Sequence, residues 1–178
     1  KSDIVPTYDQ GWYIGYSDNQ IHFVNRKTPD ECTSIPFETP VKSLFYVKYT
    51  NYLIVNTDIC TSKYLTDFES ITEETKLCQP FETMCMNEES AVMALSHIHG
   101  KISIIWTTTW KTHHTLRSPP LITMDINTNK LVGITKNTHN IYVWDLISGT
   151  VVINLKSPWN KPRYVYINED INTFGITT

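Results

Sequence analysis

The sequence predicts an all-β fold assembled from a repeated unit of about forty residues. Its 178 residues include ten Tyr, six Phe and five Trp but only six Gly, a composition that favours strands over helices. A short apolar segment recurs along the chain at a spacing near forty, and four prolines recur at the same spacing. Because the two spacings agree, a repeat explains them better than coincidence does.

The clearest copy of the recurring segment is 140–145, which reads Asn-Ile-Tyr-Val-Trp-Asp. A second copy, 101–106, ends at a tryptophan 38 residues before the one at position 144, a third is 20–25, and 64–67 is a weaker one. A proline precedes an alternating apolar segment in each repeat, and such a residue fits the start of a strand because it has no N–H for the ladder. These prolines are Pro40, Pro80, Pro120 and Pro162, at spacings of 40, 40 and 42.

The third full repeat shows the predicted strands most clearly. Residues 121–126 alternate large with small or polar side chains, and 131–135 form the nearly continuous apolar run expected of a strand buried on both faces. The segment 140–145 is the third strand, and a Ser148-Gly149 turn leads to the fourth at 150–155. The repeat is therefore a four-stranded antiparallel unit.

The other repeats follow the same plan. The polar stretch 67–74 is predicted as a turn plus an exposed outer strand, with a short helix as the alternative. The chain is expected to open with the last three strands of one unit and to close with the first two of another. The remaining predicted strands are 11–16, 21–25, 32–37, 41–47, 52–56, 81–86, 91–96, 101–106, 112–117, 163–167 and 174–177.

Four strands per forty residues describe the blade of a β-propeller, and the Trp144-Asp145 dipeptide stands where WD repeats carry theirs. Trp106-Thr107 matches half of that dipeptide, and 17–21, with Asp18, is similar to the turn that orders a WD blade by hydrogen bonds. The chain thus resembles the WD40 β-propeller family over nearly all its length. Gly100 and Thr138 stand at the positions aligned with Asp18, and the Gly-His pair of the family is absent.

The resemblance implies a propeller of about four to four and a half blades. The expected blades are 1–39 (partial), 40–79, 80–118, 119–158 and 159–178 (partial), with Asp18, Trp106, Trp144 and Asp145 as structural WD-type residues. WD propellers usually carry about six to eight blades. The chain is therefore expected to be part of a larger ring, completed by further sequence, a second chain or another copy.

Several classes of function are disfavoured by the sequence. A formal net charge of −3 argues against bulk nucleic-acid binding, and no apolar run is long enough for a transmembrane helix. The four cysteines lack zinc-site spacing, and no hydrolase, phosphate-loop or metalloprotease motif occurs, so no metal, cofactor or enzymatic activity is expected. His97 and His99 could form a metal pair only if their strand continued regularly, and turn residues are the simpler interpretation. The absence of Asn-x-Ser/Thr favours the cytoplasm or nucleus.

Two segments are candidate partner-binding surfaces. The strand 112–117 carries His113, His114 and Arg117 and is either a basic contact strip or a solvated edge. Trp159 stands among cations in a loop between blades, where it could meet a partner or pack between blades. Trp110 poses the same choice, and the cations around Trp159 include Lys161 and Arg163.

The expected function is a non-catalytic scaffold that assembles other protein subunits into a complex. The alternative is a recognition module for a modified peptide or an anionic ligand, and a propeller enzyme comes third.

Overall fold

The structure is a computed structural model that describes residues 3–6, 11–47, 50–158, 162–168 and 173–177. Those residues form eighteen antiparallel β-strands and no helix. It follows that the described ranges contain no helix long and apolar enough to cross a membrane. The chain divides into two compact units, residues 1–80 and 81–178.

The first unit contains two four-stranded sheets, each a meander in which consecutive strands are neighbours. In both sheets every strand runs antiparallel to the next. The strands of the first sheet are β1 (Asp3–Pro6), β2 (Trp12–Ser17), β3 (Gln20–Asn25) and β4 (Cys32–Pro36). Those of the second are β5 (Val41–Val47), β6 (Tyr52–Thr57), β7 (Thr61–Thr66) and β8 (Ile71–Cys78).

The second unit contains two more four-stranded meanders and one two-stranded sheet. The first strands of the three sheets lie side by side, because β13 contacts both β9 and β17. The strands are β9 (Thr83–Asn87), β10 (Val92–His97), β11 (Lys101–Trp106), β12 (Lys111–Arg117), β13 (Leu121–Ile126), β14 (Lys130–Thr135), β15 (Asn140–Asp145), β16 (Val151–Lys156), β17 (Tyr164–Ile167) and β18 (Phe174–Thr177).

Burial changes across each four-stranded sheet of the second unit. Every residue of the second strand β10 is buried, and so are all but the first of β14. The fourth strands are the reverse, since five of the seven residues of β12 and all six of β16 are exposed. The core therefore lies over the inner strands, and the outer strand of each sheet is the one that solvent reaches.

The all-β class and the repeated four-stranded unit are confirmed, with some local differences. The segment after Asp67 is the strand β8 and not a helix. The first sheet has a fourth strand, β1, where the sequence predicts only three; it is four residues long and ends in Pro6, too short for a visible alternation. The strand predicted at 81–86 begins at Thr83, because Phe81 is buried in the connection that precedes it.

Candidate functional site

The outer strand β12 carries a row of basic side chains along the edge of its sheet. Lys111, His113 and Arg117 are exposed, and His114 is half-buried. Polar and charged residues on an edge strand oppose uncontrolled pairing with another strand. Among the residues that the structure describes, neither Lys111 nor Arg117 forms an ion pair with a carboxylate. The strip is thus an electropositive surface of the second unit.

A β-bulge brings two histidines of this strip together. Ile105 is paired with Thr112 and Ile104 with His114, so that His113 is the extra residue in the ladder. Adjacent residues of a regular strand point to opposite faces, but a bulge redirects a side chain. The rings of His113 and His114 accordingly lie with centroids 4.1 Å apart, tilted by 46°.

The two imidazoles border a cavity of about 300 Å³ that is lined mostly by apolar side chains. Trp106 forms one wall, and its ring centroid is 5.6 Å from that of His113. The chain beyond β15 contributes Leu146 and Ile147 to the lining. The complete lining is Val92, Ile104, Trp106, His113, His114, Thr128, Asn129, Leu146 and Ile147. This volume suits one or two apolar side chains of a bound peptide.

The turn after β15 holds Ile147 at the rim of this cavity, with 79% of its surface exposed. The Asp145 carboxylate accepts hydrogen bonds from the backbone N–H of Ile147 (3.1 Å) and of Ser148 (2.7 Å), and from the Ser148 hydroxyl (2.9 Å). These bonds favour the ionised carboxylate and lower the pKa of Asp145, with the Ser148 backbone N–H as the largest cause. A rigid turn therefore presents an apolar side chain to solvent.

At the far end of the strip, Arg117 is the cross-strand partner of Lys101. Like charges directly opposite each other are unfavourable in a sheet. The pair borders an open groove of about 470 Å³ whose described lining contains no carboxylate: His99, Gly100, Lys101, Arg117, Ser118 and Pro119. Two cations beside an open groove, with no carboxylate in its described lining, make this end of the strip suited to an anion.

The remaining WD-type residues have structural positions. Trp144 is 1% exposed, and its indole N–H donates to the backbone carbonyl of Arg117 (3.3 Å), which ties β15 to the end of β12. Asp18 lies in the turn between β2 and β3 with φ 44°, and its carbonyl accepts from Val41 N–H (2.8 Å). Trp110, a candidate partner-binding residue and not a WD-type one, lies half-buried in the turn before β12, with φ 56°.

The other predicted residues are separate from the strip. Arg163 is exposed and immediately precedes β17, while Trp159 and Lys161 lie outside the described residues. His97 ends β10 and is bonded through Nε2 to the Ser103 hydroxyl (2.9 Å), whereas His99 is in the following turn. The described residues contain no group of three or more His, Cys, Asp or Glu able to hold a metal ion.

The cavity itself was not predictable from the sequence. Regular alternation places adjacent histidines on opposite faces, and only the bulge joins them. Leu146 and Ile147 carry no motif, since they are simply the two residues that follow the Trp-Asp dipeptide. No protein-family model matches the chain, and no curated protein matches its sequence.

Proposed function

We propose that the chain is a non-catalytic, WD40-like propeller scaffold that joins other protein subunits in a complex. The four-stranded meanders support this, as does the side-by-side arrangement of β9, β13 and β17, since blades of a propeller approach one another through their first strands. Each blade in such a fold presents its outer strand and loops to partners. A cytoplasmic or nuclear location is part of the same proposal.

The single observation that carries the proposal is an apolar cavity set into a basic edge strand. The cavity beside Trp106, His113 and His114 would take an apolar anchor, and the flanking cations would take carboxylates. The partner that fits is an extended acidic segment with one large apolar side chain.

The test uses immobilised full chain and quantitative mass spectrometry of bound proteins, with reversible binding then measured for each recovered partner. The site variant combines His113→Ser, His114→Ser and Arg117→Gln. We expect this variant to bind the partners at least about tenfold more weakly, because the centre of the contact is removed, while its unfolding temperature stays unchanged.

The matched control variant lies on the equivalent outer strand β16, whose residues are also exposed. It combines Val152→Ser, Ile153→Ser and Lys156→Gln. If this control loses the partners and the β12 variant retains them, the assignment of the contact surface is wrong. If no partner is recovered reproducibly with the unmodified chain, the scaffold proposal itself fails.

A second function, recognition of an anionic ligand, is favoured by the Lys101–Arg117 pair and its open groove. Titration with inorganic phosphate, monitored by the amide resonances of 99–101 and 117–118, tests it. Binding that weakens with added salt and disappears in Arg117→Gln is expected. Resonances that do not move would exclude this function.

A further inference from the structure

The first unit contains a cavity of about 470 Å³ that borders β7 and β8 and differs in chemistry from the β12 strip. Its lining combines two aromatic rings, small polar groups and three charged side chains. Its aromatic, polar and charged members include Phe37, Glu38, Cys60, Ser62, Tyr64, Glu73 and Lys76. Aromatic, hydroxyl and carboxylate groups in one concave site are typical of a binding pocket.

Three alternate residues form the polar part of the lining. Cys60, Ser62 and Tyr64 are spaced two apart, as residues on one face of a strand are. The Cys60 sulfur lies 3.5 Å from the Ser62 hydroxyl. The Phe37 ring meets the Tyr64 ring edge-on, with centroids 5.5 Å apart. A tyrosine face with a carboxylate nearby attracts a cation.

The charges around the cavity come mainly from β8. Glu73 is paired with Tyr64 across the ladder, and Lys76 with Ser62, whereas Glu74 is the unpaired residue of a bulge between them. Among the described residues neither Glu73 nor Glu38 forms an ion pair. Burial is the main cause that raises the pKa of Tyr64 to about 12, and the negative charge of Glu73 adds to it.

The opposite face of the same two strands already holds an ammonium group in a similar setting. Lys63, between Ser62 and Tyr64, places its Nζ 4.2 Å from the centroid of the Tyr52 ring and 2.6 Å from the Glu74 carboxylate. One face thus has a tyrosine, a glutamate and a lysine of the chain itself. The cavity face has Tyr64, Glu73 and the exposed Lys76 around an open space.

From this correspondence we infer that the cavity binds an alkylammonium group, such as the lysine side chain of a partner peptide, against Tyr64 and Glu73. The carboxylates of Glu73 and Glu38 outnumber the single ammonium of Lys76, so the lining attracts a cation. The site goes beyond the proposed function, because it lies in the other unit and takes a ligand of opposite charge to that of the β12 strip.

The experiment compares two small probes that differ only in the ammonium group: N-acetyl-lysine N-methylamide and N-acetyl-norleucine N-methylamide. Binding to the full chain is monitored by the amide resonances of 60–64 and by iodoacetamide alkylation of Cys60, located by peptide mass spectrometry. For one side chain in an open site we expect a Kd on the order of 1–10 mM for the lysine probe. That probe should protect Cys60, and the norleucine probe should not.

Three variants predict the direction in which binding of the lysine probe should change. Glu73→Gln should weaken the lysine probe about three- to fivefold, as expected when one partly exposed ion pair is lost. Lys76→Gln should strengthen it about twofold, because a like charge is removed. Glu69→Gln removes a carboxylate that does not line the cavity and should change nothing.

Equal binding of the norleucine probe would overturn the inference, because the cavity would then select apolar groups. Absence of both resonance shifts and protection would also overturn it, as would weaker binding in Lys76→Gln. None of these outcomes affects the β12 proposal, which is tested by variants of the second unit.

Discussion

Trp106 and Trp144 occupy corresponding positions in two copies of the same sequence segment, but their surroundings in the structure differ. Replacing each by phenylalanine should therefore have different effects. Trp144 is 1% exposed, and its N–H donates to the Arg117 carbonyl. Trp106 is half-buried at the cavity wall, and its indole nitrogen has no acceptor among the described residues. Trp144→Phe should therefore lower stability, and Trp106→Phe should lower binding.

The magnitude for Trp144→Phe follows from two losses. Losing the hydrogen bond to a partly buried carbonyl costs about 1 kcal/mol. The smaller ring leaves a cavity of roughly 40 Å³, which at about 24 cal/mol per Å³ adds about 1 kcal/mol, and lost apolar transfer brings the total to about 2–3 kcal/mol. Trp106→Phe should cost about 1 kcal/mol or less, since its ring is already in contact with solvent.

Urea unfolding and thermal melts measure the difference directly, because both residues belong to the second unit. A shift of about 2–4 °C per kcal/mol predicts a melting temperature lower by roughly 4–12 °C for Trp144→Phe and by less than about 4 °C for Trp106→Phe. Equal losses for the two variants would refute the distinction. So would unchanged partner binding by Trp106→Phe.

Three further changes have expected outcomes. Hydrogen bonds lower the pKa of Asp145 from 3.8, so the stability that its ionised carboxylate contributes is present above that value and is lost as the pH falls below it. Asp145→Ala should therefore flatten the acid limb of a plot of the urea midpoint against pH. Gly100→Ala places a Cβ 2.6 Å from a backbone carbonyl at φ +77°, so this substitution should lower the free energy of unfolding in urea by at least about 2 kcal/mol. The Cβ of Gly11→Ala, at φ +71°, meets nothing within 4 Å, so that substitution should cost about 1 kcal/mol. Val152→Lys, on the exposed apolar edge β16, should reduce light scattering without changing the melting temperature, and increased scattering would contradict it.

The spacing of the repeat was predictable because the backbone requires particular residue types at strand starts, turns and buried strands. A proline tolerated at a strand start, a turn rich in Asn and Thr, and a buried run such as 131–135 each reflect where the ladder begins, reverses or is covered. Strands β5, β11, β13, β15 and β18 accordingly have the predicted bounds. The approximate positions of the other strands follow from the same signals, β1 excepted.

The candidate sites were less predictable because they depend on irregularities. The bulges at His113 and Glu74 decide which neighbouring side chains share a face, and a bulge has no period in the sequence. The ammonium of Lys63 at the Tyr52 ring likewise joins residues eleven positions apart, which only the register of β6 and β7 brings together. The basic character of β12 was visible in the sequence, but its cavity was not.

The Trp-Asp dipeptide occurs once, yet the turn chemistry associated with it occurs twice. The Asp67 carboxylate accepts hydrogen bonds from Glu69 N–H (3.0 Å) and Ser70 N–H (2.6 Å). The Asp145 carboxylate likewise accepts from the residues two and three positions further along the chain, and hydrogen bonding lowers the pKa of both aspartates. Two of the four-stranded sheets thus share an Asp-x-x-Ser turn after their third strand, and in one of them the tryptophan is absent.

The sheets share their turns and their buried inner strands but few sequence motifs. The differences between the sheets therefore lie mainly on the outer strands. β8 carries Glu73 and Glu74, β12 carries His113, His114 and Arg117, and β16 exposes Val151, Val152, Ile153 and Leu155. The first two edges are suited to a cation and to an acidic segment, whereas β16 presents an apolar surface for which no partner is proposed. In the scaffold that we propose, partners of different chemistry would therefore have no reason to compete for one edge.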